Sequence, residues 1–314
     1  MALKLSRNKF LGIKNETTQN TLATVGVGDF ITIQDVTFKL GKNTVERDYK
    51  RGSLDTLSSV VAERWAEIEA TVELRNSGSN GYPELESLFT CCGNTVTYAT
   101  TTSSINPIST AMTGMLSPAT SSTVVVHLDG IKHVAQGCVG TAKGTLEAGK
   151  VPMVTFTLKG LYSGSCDQAN PVVEGLVTTA PPIVQSITLK VGSYSPIAVS
   201  KVDWDLGTET AMLSDVNSAN AVYGFLVTGR KPTITLNPVV DTIGNHDAIA
   251  AMIAGTEYSM SCQIGTAASN CVEVIFPQVQ YTEVTNEDRS GVLGYAITGK
   301  ANGSGNNSYS FRLH

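Results

Sequence analysis

Residues 36–41 read VTFKLG and residues 64–74 read RWAEIEATVEL; the same pair returns as VDWDLG at 202–207 and RKPTITLNPVV at 230–240. One constant spacing places Phe38 on Trp204, Leu40 on Leu206, Gly41 on Gly207, Arg64 on Arg230 and Ile68 on Ile234. Two strands and the loop between them therefore recur without a gap. In the first copy Ile68, Ala70, Val72 and Leu74 alternate with Glu67, Glu69, Thr71 and Glu73, the period of a strand with one buried and one wet face. The second copy keeps the apolar phase at Ile234, Leu236 and Val240 and puts Thr233, Thr235 and Asn237 where the first has acids. Pro238 predicts an edge or a bulge late in that strand.

The correspondence extends outward. FITIQ (30–34) lies over PIAVS (196–200). PELESLF (83–89) and HDAIAAMI (246–253) each predict a short helix, with Leu85, Leu88 and Phe89 matching Ile249, Met252 and Ile253 on one face. Asn245 or Asp247 would cap the second. TVVVHLDG (123–130) then matches EYSMSCQIG (257–265), and TFTLKG (155–160) matches YAITG (295–299), after one insertion within 101–122 of the first copy. These repeats predict a mainly β chain of two tandem, duplicated β-rich domains, each with one short α-helix. The expected division is an arm at 1–28, a first domain at 29–178 and a second at 179–314, joined by the stiff, Pro-rich TTAPPI (178–183). The arm has no counterpart that aligns, and is either frayed or ordered against a neighbouring molecule. Near the other end, SYSFRL reads as a short strand.

Only 16% of the 314 residues are charged and the formal net charge is −5. Without a basic tract, a grip on nucleic acid phosphates through counterion release is not expected. The opening MALKLSRNKFLGIKNE lacks the continuous apolar core of a secretory signal, and no apolar run approaches the roughly 18 residues of a membrane span; no membrane anchor is expected. The six cysteines fit no zinc spacing and are expected as buried free thiols, a disulfide framework being the alternative.

No catalytic constellation emerges. HExxH, GxSxG and phosphate-cradling glycine patterns are missing, and GVG at 26–28 has no following helix. His127 sits in a valine-rich strand, where a core or edge histidine is expected rather than a base. Glu67, Glu69 and Glu73 could pair for glycoside hydrolysis, but their Thr, Thr, Asn counterparts favour a solvated strand face. The chain is therefore expected to be no enzyme, with no cofactor and no metal.

The loops between the repeated strands are long, equal in length and rich in apolar residues. Loops of that length in a compact domain are disordered or functional, and apolar residues kept on a surface mark interfaces. Tyr49, Leu54, Leu57 and Val60 in the first loop, and Tyr223, Phe225 and Leu226 in the second, are thus candidate docking residues. A strand folding back on its own domain is the alternative.

PELESLFTCCG, followed after the insertion by residues 123–164, resembles the major tail tube proteins of long-tailed, siphovirus-like bacteriophages. The matching positions are Pro83, Glu84, Cys92, Gly93, Asp129, Gly130, Gly137, Gly140, Phe156, Leu158 and Gly160, within a resemblance that spans about residues 30–240. It implies tail-tube-type antiparallel β-sandwich or barrel domains whose inner sheets join side by side around a channel, in rings that stack through the long loop. With two units per chain, three chains would make a pseudo-six-fold ring. Glu67, Glu69, Glu73, Thr233, Thr235 and Asn237 would then face a lumen that repels or ignores DNA, and the two loops would stack the rings. The implied partners are further copies of the chain, tape-measure, tail terminator and distal tail proteins, with DNA passing unbound. The implied place is the virion tail, after synthesis in the bacterial host cytoplasm. A tube from a contractile tail, pyocin or type VI secretion-like machine, or a tandem β-sandwich adhesin, are the alternatives.

Overall fold

A computed structural model describes residues 3–49, 52, 55–75, 83–98, 103–108, 121–174, 176, 180–265, 271–303 and 305–313. The first half runs β1 (Lys9–Asn15), β2 (Phe30–Ile31), β3 (Asp35–Val45), β4 (Val60–Glu73), α1 (Pro83–Cys91), β5 (Asn94–Tyr98), β6 (Ser103–Pro107), β7 (Ser122–Leu128), β8 (Ile131–Glu147) and β9 (Met153–Asp167). The second runs β10 (Thr188–Val191), β11 (Lys201–Asp205), β12 (Thr208–Ser214), β13 (Val222–Arg230), β14 (Thr233–Leu236), α2 (Ala248–Ala254), β15 (Glu257–Ile264), β16 (Val272–Arg289), β17 (Val292–Ala301) and β18 (Ser310–Leu313). The fold is mainly β, antiparallel throughout its paired strands, with two short helices.

The two halves pair their strands in the same order. In the first, β3 pairs with β4, β4 with β9, β9 with β8, β8 with β7 and β7 with β1. In the second, β11 pairs with β14, β14 with β17, β17 with β16, β16 with β15 and β15 with β10. Even the register recurs: Val36 faces Ala70 as Val202 faces Leu236, and Phe38 faces Ile68 as Trp204 faces Ile234. The interruption of register after Lys42 recurs after Glu209. YAITG, however, sits two residues along from the match expected with TFTLKG: Thr157 and Thr298 are the equivalent positions, opposite Glu69 and Thr235. A slip of two keeps every side chain on its face, so alternation alone does not detect it.

The halves are also one sheet. β8 accepts β11 along its second part, so that β3-β4-β9-β8-β11-β14-β17-β16 runs as eight consecutive strands. Behind them lies a core shared by both halves, including Ile68, Phe156, Trp204 and Ile234. Trp204 lies flat over Gly144, where a Cβ would stand 2.1 Å from the indole. The C-terminal strand stitches the core: β18 pairs with β16 on one side and β6 on the other. Its Phe311 ring sits 4.8 Å from Trp204 and 5.5 Å from Phe89 of α1.

Three expectations need correction. The opening segment is not a frayed arm, since β1 pairs along its length with β7 and buries Leu11 and Ile13; β10 is its counterpart. The second helix does not bury the face expected of it. Asp247 caps it through Ala250 N at 2.8 Å, but Ala248 and Ala251 point inward, Met252 is half-buried, and Ile253 is 79% exposed. The register of the cap, not the larger side chains, decides which face meets β16. Finally, the second long loop is no loop: β12 and β13 form a two-stranded sheet. Of the linker, Thr178 and Thr179 lie outside the described residues, and Val184 is tied to the turn after β8 by hydrogen bonds with Gly149 and Lys150.

Candidate functional site

The eight-strand sheet has one apolar face, turned to the core, and one polar face. Register assigns the polar one strand by strand. Glu67, Glu69, Thr71 and Glu73 of β4 stand opposite Lys159, Thr157, Thr155 and Met153 of β9. The row continues through Thr141, Lys143 and Thr145 of β8, Asp205 and Asp203 of β11, Thr233 and Thr235 of β14, and Lys300 and Thr298 of β17. β3 adds Asp35, Thr37 and Lys39 at one end, and β16 adds Glu283, Thr285, Glu287 and Arg289 at the other. The acidic row of the first half and the threonine row of the second, far apart in sequence, thus lie on one surface.

The local geometry explains how charges coexist there. Glu67 lies 3.3 Å from Lys39 and accepts a hydrogen bond from Trp65 Nε1 at 3.0 Å. That bond, ahead of the lysine, holds its carboxyl below the ordinary value. Glu69 is exposed and Glu73 pairs with Arg75 at 3.1 Å. Lys143 pairs with Asp205 at 3.2 Å and Lys201 with Asp203 at 2.8 Å. Thr233 is exposed and Thr235 half-buried. Asn237 is on the same side but has a local task, accepting the N–H groups of Ser200 and Lys201 and donating to the Ser200 hydroxyl.

With Glu147, which faces Lys201, the strands of this face carry nine acids (Asp35, Glu67, Glu69, Glu73, Glu147, Asp203, Asp205, Glu283, Glu287) and six cations (Lys39, Lys143, Lys159, Lys201, Lys300, Arg289), and three further cations, Lys9, Arg75 and Lys150, pair with Asp35, Glu73 and Glu147 from beside it. No strand carries more than one cation on this face. A phosphate chain gains affinity by pairing with several cations and releasing counterions, and this surface spreads its cations over different strands and pairs Lys39, Lys143 and Lys201 with its own acids. The acids of β11 and the threonines of β8 and β9 were missed by sequence reasoning, although TAKGTLE and MVTFTLKG alternate as plainly as the repeat itself.

The docking residues fare differently from one another. Phe225 is buried, with Val222 and Val227, against Val139 of the first half, and Trp65 and Leu161 pack on this cluster. The β12–β13 sheet is further held by Arg64 Nε on Asn220 Oδ1 at 2.6 Å, by Asn20 Nδ2 on the Tyr223 carbonyl and by Gln19 Nε2 on the Phe225 carbonyl. The second loop therefore docks on its own chain. Leu226 is half-buried and Tyr223 stays exposed. In the first loop Tyr49 and Val60 are exposed and Leu57 is half-buried, while Leu54 lies outside the described residues.

Titratable groups elsewhere are structural. His246 stacks on Tyr194 with centroids 4.6 Å apart and shares a hydrogen bond with Tyr281 Oη. His133 stacks on Phe38. Burial lowers the pKa of both, and of His127, keeping the rings neutral. All six cysteines are free, and only Cys166 is exposed. Among the described residues no group of three His, Cys, Asp or Glu side chains is placed to hold a metal ion.

A family model described as phage tail tube protein matches residues 6–311, a wider span than the resemblance drawn from sequence. No curated protein matches the sequence.

Proposed function

From the premise that the chain belongs to the phage tail tube proteins, we propose that three copies close into a pseudo-six-fold ring, and that stacked rings form the conduit through which the genome leaves the virion. What carries the reading is the polar face. It is continuous across both halves, acid-rich, threonine-lined and without adjacent cations, the properties of a wall along which a polyanion slides. Three copies contributing the eight-strand run make a barrel of about 24 strands. At about 4.8 Å per strand and a tilt of about 40°, its backbone circle is about 48 Å across. Side chains narrow that bore yet leave room for a duplex.

The matched order and register of the halves support an ancestral unit copied within one chain, the second domain spanning 179–314 and the first ending at 178 and taking in β1 as well as residues 29–178. Fusion halves the number of bodies that must meet, and so lowers the entropy lost on assembly. It also permits divergence, as between the glutamates of β4 and the threonines of β14. Stacking falls to the 46–59 loop and to the tip of the β12–β13 sheet, where Val216 is almost wholly exposed. Tape-measure, terminator and distal tail proteins are the further partners of such a tube, and the tail is siphovirus-like.

Electron microscopy of the concentrated protein tests the assembly, with rings or tubes of uniform bore expected. The lumen assignment is tested by Glu67→Lys, Glu69→Lys and Glu73→Lys combined. These variants should leave tubes assembled and slow DNA ejection from reconstituted particles; unchanged ejection kinetics would reject the assignment.

A further inference from the structure

Along the eight-strand run the halves meet at one joint, and the two ends of the run lack its counterpart among the described residues. At the joint, β8 pairs with β11: Lys143 faces Asp205, Thr145 faces Asp203 and Glu147 faces Lys201. The common pairing order makes β3 the counterpart of β11, and the last part of β16 the counterpart of the last part of β8. Yet among the described residues β3 pairs with β4 alone, and residues 282–289 of β16 pair with β17 alone. The two strand edges that are joined to each other inside the chain are both open at its ends.

Burial separates the counterparts in the same way. Leu206 beside the joint is fully buried, and Val227, on the arm that leans over the first half, is 4% exposed. Their counterparts on β3 and β4, Leu40 and Val61, are 41% and 49% exposed. The same positions are covered where a neighbouring unit is present and bare where it is not.

We propose, resting on the tube-subunit reading, that a second copy of this chain lays its β3 antiparallel against residues 282–289 of the first, in the register of the internal joint. That register sets Thr37 opposite Glu287, Lys39 opposite Thr285 and Asp35 opposite Arg289. The contacts of the joint then recur with donor and acceptor exchanged. Inside the chain, Thr145 Oγ1 donates to Asp203 at 2.8 Å, and Thr141 Oγ1 reaches Asp205 diagonally at 3.4 Å. Between copies, the Thr37 hydroxyl donates to Glu287, and the Lys39 ammonium reaches Glu283 on the same diagonal. Glu147 facing Lys201 becomes Arg289 facing Asp35, the guanidinium also resting on the Ala198 and Asn237 carbonyls and the carboxylate also holding Lys9.

The exchange gives the seam a direction. Glu283 and Glu287 repel a second edge like their own, whereas Lys39 favours them; opposed charges directly across strands stabilise and like charges destabilise. Each chain carries one edge of each kind, so copies add head to tail and the assembly closes by rotation.

Paired cysteines test the register, in a Cys166→Ser background that removes the exposed native thiol. Residues directly opposite in an antiparallel pair have Cα atoms about 4.5–5.5 Å apart, within disulfide reach. Thr37→Cys with Glu287→Cys should therefore give covalent multimers on denaturing gels after mild oxidation of assembled rings. Thr37→Cys with Glu283→Cys, four residues or about 13 Å out of register, should give on the order of tenfold less. Separately, Glu283→Lys should stop assembly without changing the thermal unfolding of the single chain, and adding Lys39→Glu together with Glu67→Lys, which keeps the opposed pair inside the chain, should restore it. Rings that form but cross-link through the slipped pair, or not through the first pair, or an unrestored charge exchange, overturn the seam while leaving the tube reading intact. A parent chain that forms no ring at high concentration overturns both.

Discussion

Replacing Phe311 with Ala asks whether the halves stand or fall together. The ring is fully buried in β18, between Trp204 of the second half and Phe89 of α1 in the first, with Tyr309 5.7 Å away. Tyr309 in turn donates to Asn94 Oδ1 at 2.7 Å, fastening the same strand to the start of β5. Truncating a buried Phe costs about 3–5 kcal/mol through lost transfer energy and the cavity left behind. At about 2.1 cal/mol/K of unfolding entropy per residue, a chain of 314 residues loses about 1.5 °C of Tm per kcal/mol. A drop of about 5–8 °C should follow, and differential scanning calorimetry should show it in a single transition, because the core that loses the ring belongs to both halves. A drop below about 2 °C would refute the packing argument. So would two transitions of which only one moves, since that pattern belongs to halves that unfold independently.

Glu16 is buried and accepts four hydrogen bonds, from Asn20 N, Ser121 Oγ, Thr123 Oγ1 and Gly137 N at 2.7–2.9 Å. Glu16→Ala should cost about 3 kcal/mol in urea unfolding, since the donors lose a charged acceptor inside the fold; a loss under about 1 kcal/mol would rule that out. Acidification should weaken the chain through three of its histidines. His127, His133 and His246 are held neutral by burial, so below about pH 6.5 the unfolded chain binds more protons and stability declines toward the lowered folded values. Lowered acids such as Asp35 and Glu67 act only below about pH 4. A urea midpoint that is flat between pH 7.5 and 5.5 contradicts this. Replacing residues 46–59 with an Asn-Gly turn joins Val45 to Val60, which already face each other. Tm should stay within about 2 °C and rings should form without stacking; filaments from that variant would show the loop idle.

The sheet face was legible because burial and period coincide on it: one apolar row, written twice, names both the strand and its partner. Where the signal was spread over distance, sequence reading fell short. Leu11 and Ile13 alternate as Leu189 and Val191 do, but a different spacing separates them, so β1 went unmatched with β10. The second loop's apolar residues were visible; that their surface is Val139 and Leu161 of the same chain depends on β8 and β11 meeting, which no local pattern announces. The helix at 248–254 misled for a further reason. Its large residues suggested the buried face, whereas the helix, capped by Asp247, turns Ala248 and Ala251 inward.

An open edge is ordinarily a hazard, because unpaired N–H and C=O groups accept any strand. The eight-strand run leaves one at each end among the described residues, and the residues beside them are the ones that restrict the choice. Glu283, Glu287 and Asp288 on one edge, and Lys39 and Lys42 on the other, are exposed, and charges so placed discourage indiscriminate pairing. The same charges are complementary in a single alignment, the one already used between β8 and β11. A duplicated chain is well suited to this. Its internal joint fixes the geometry in a form selection acts on within one molecule, and its outer edges inherit the register while diverging in charge. In the proposed ring, the joint inside the chain and the seam between chains would be alike in backbone and opposite in polarity, which would let a growing ring tell its own interior from its free ends.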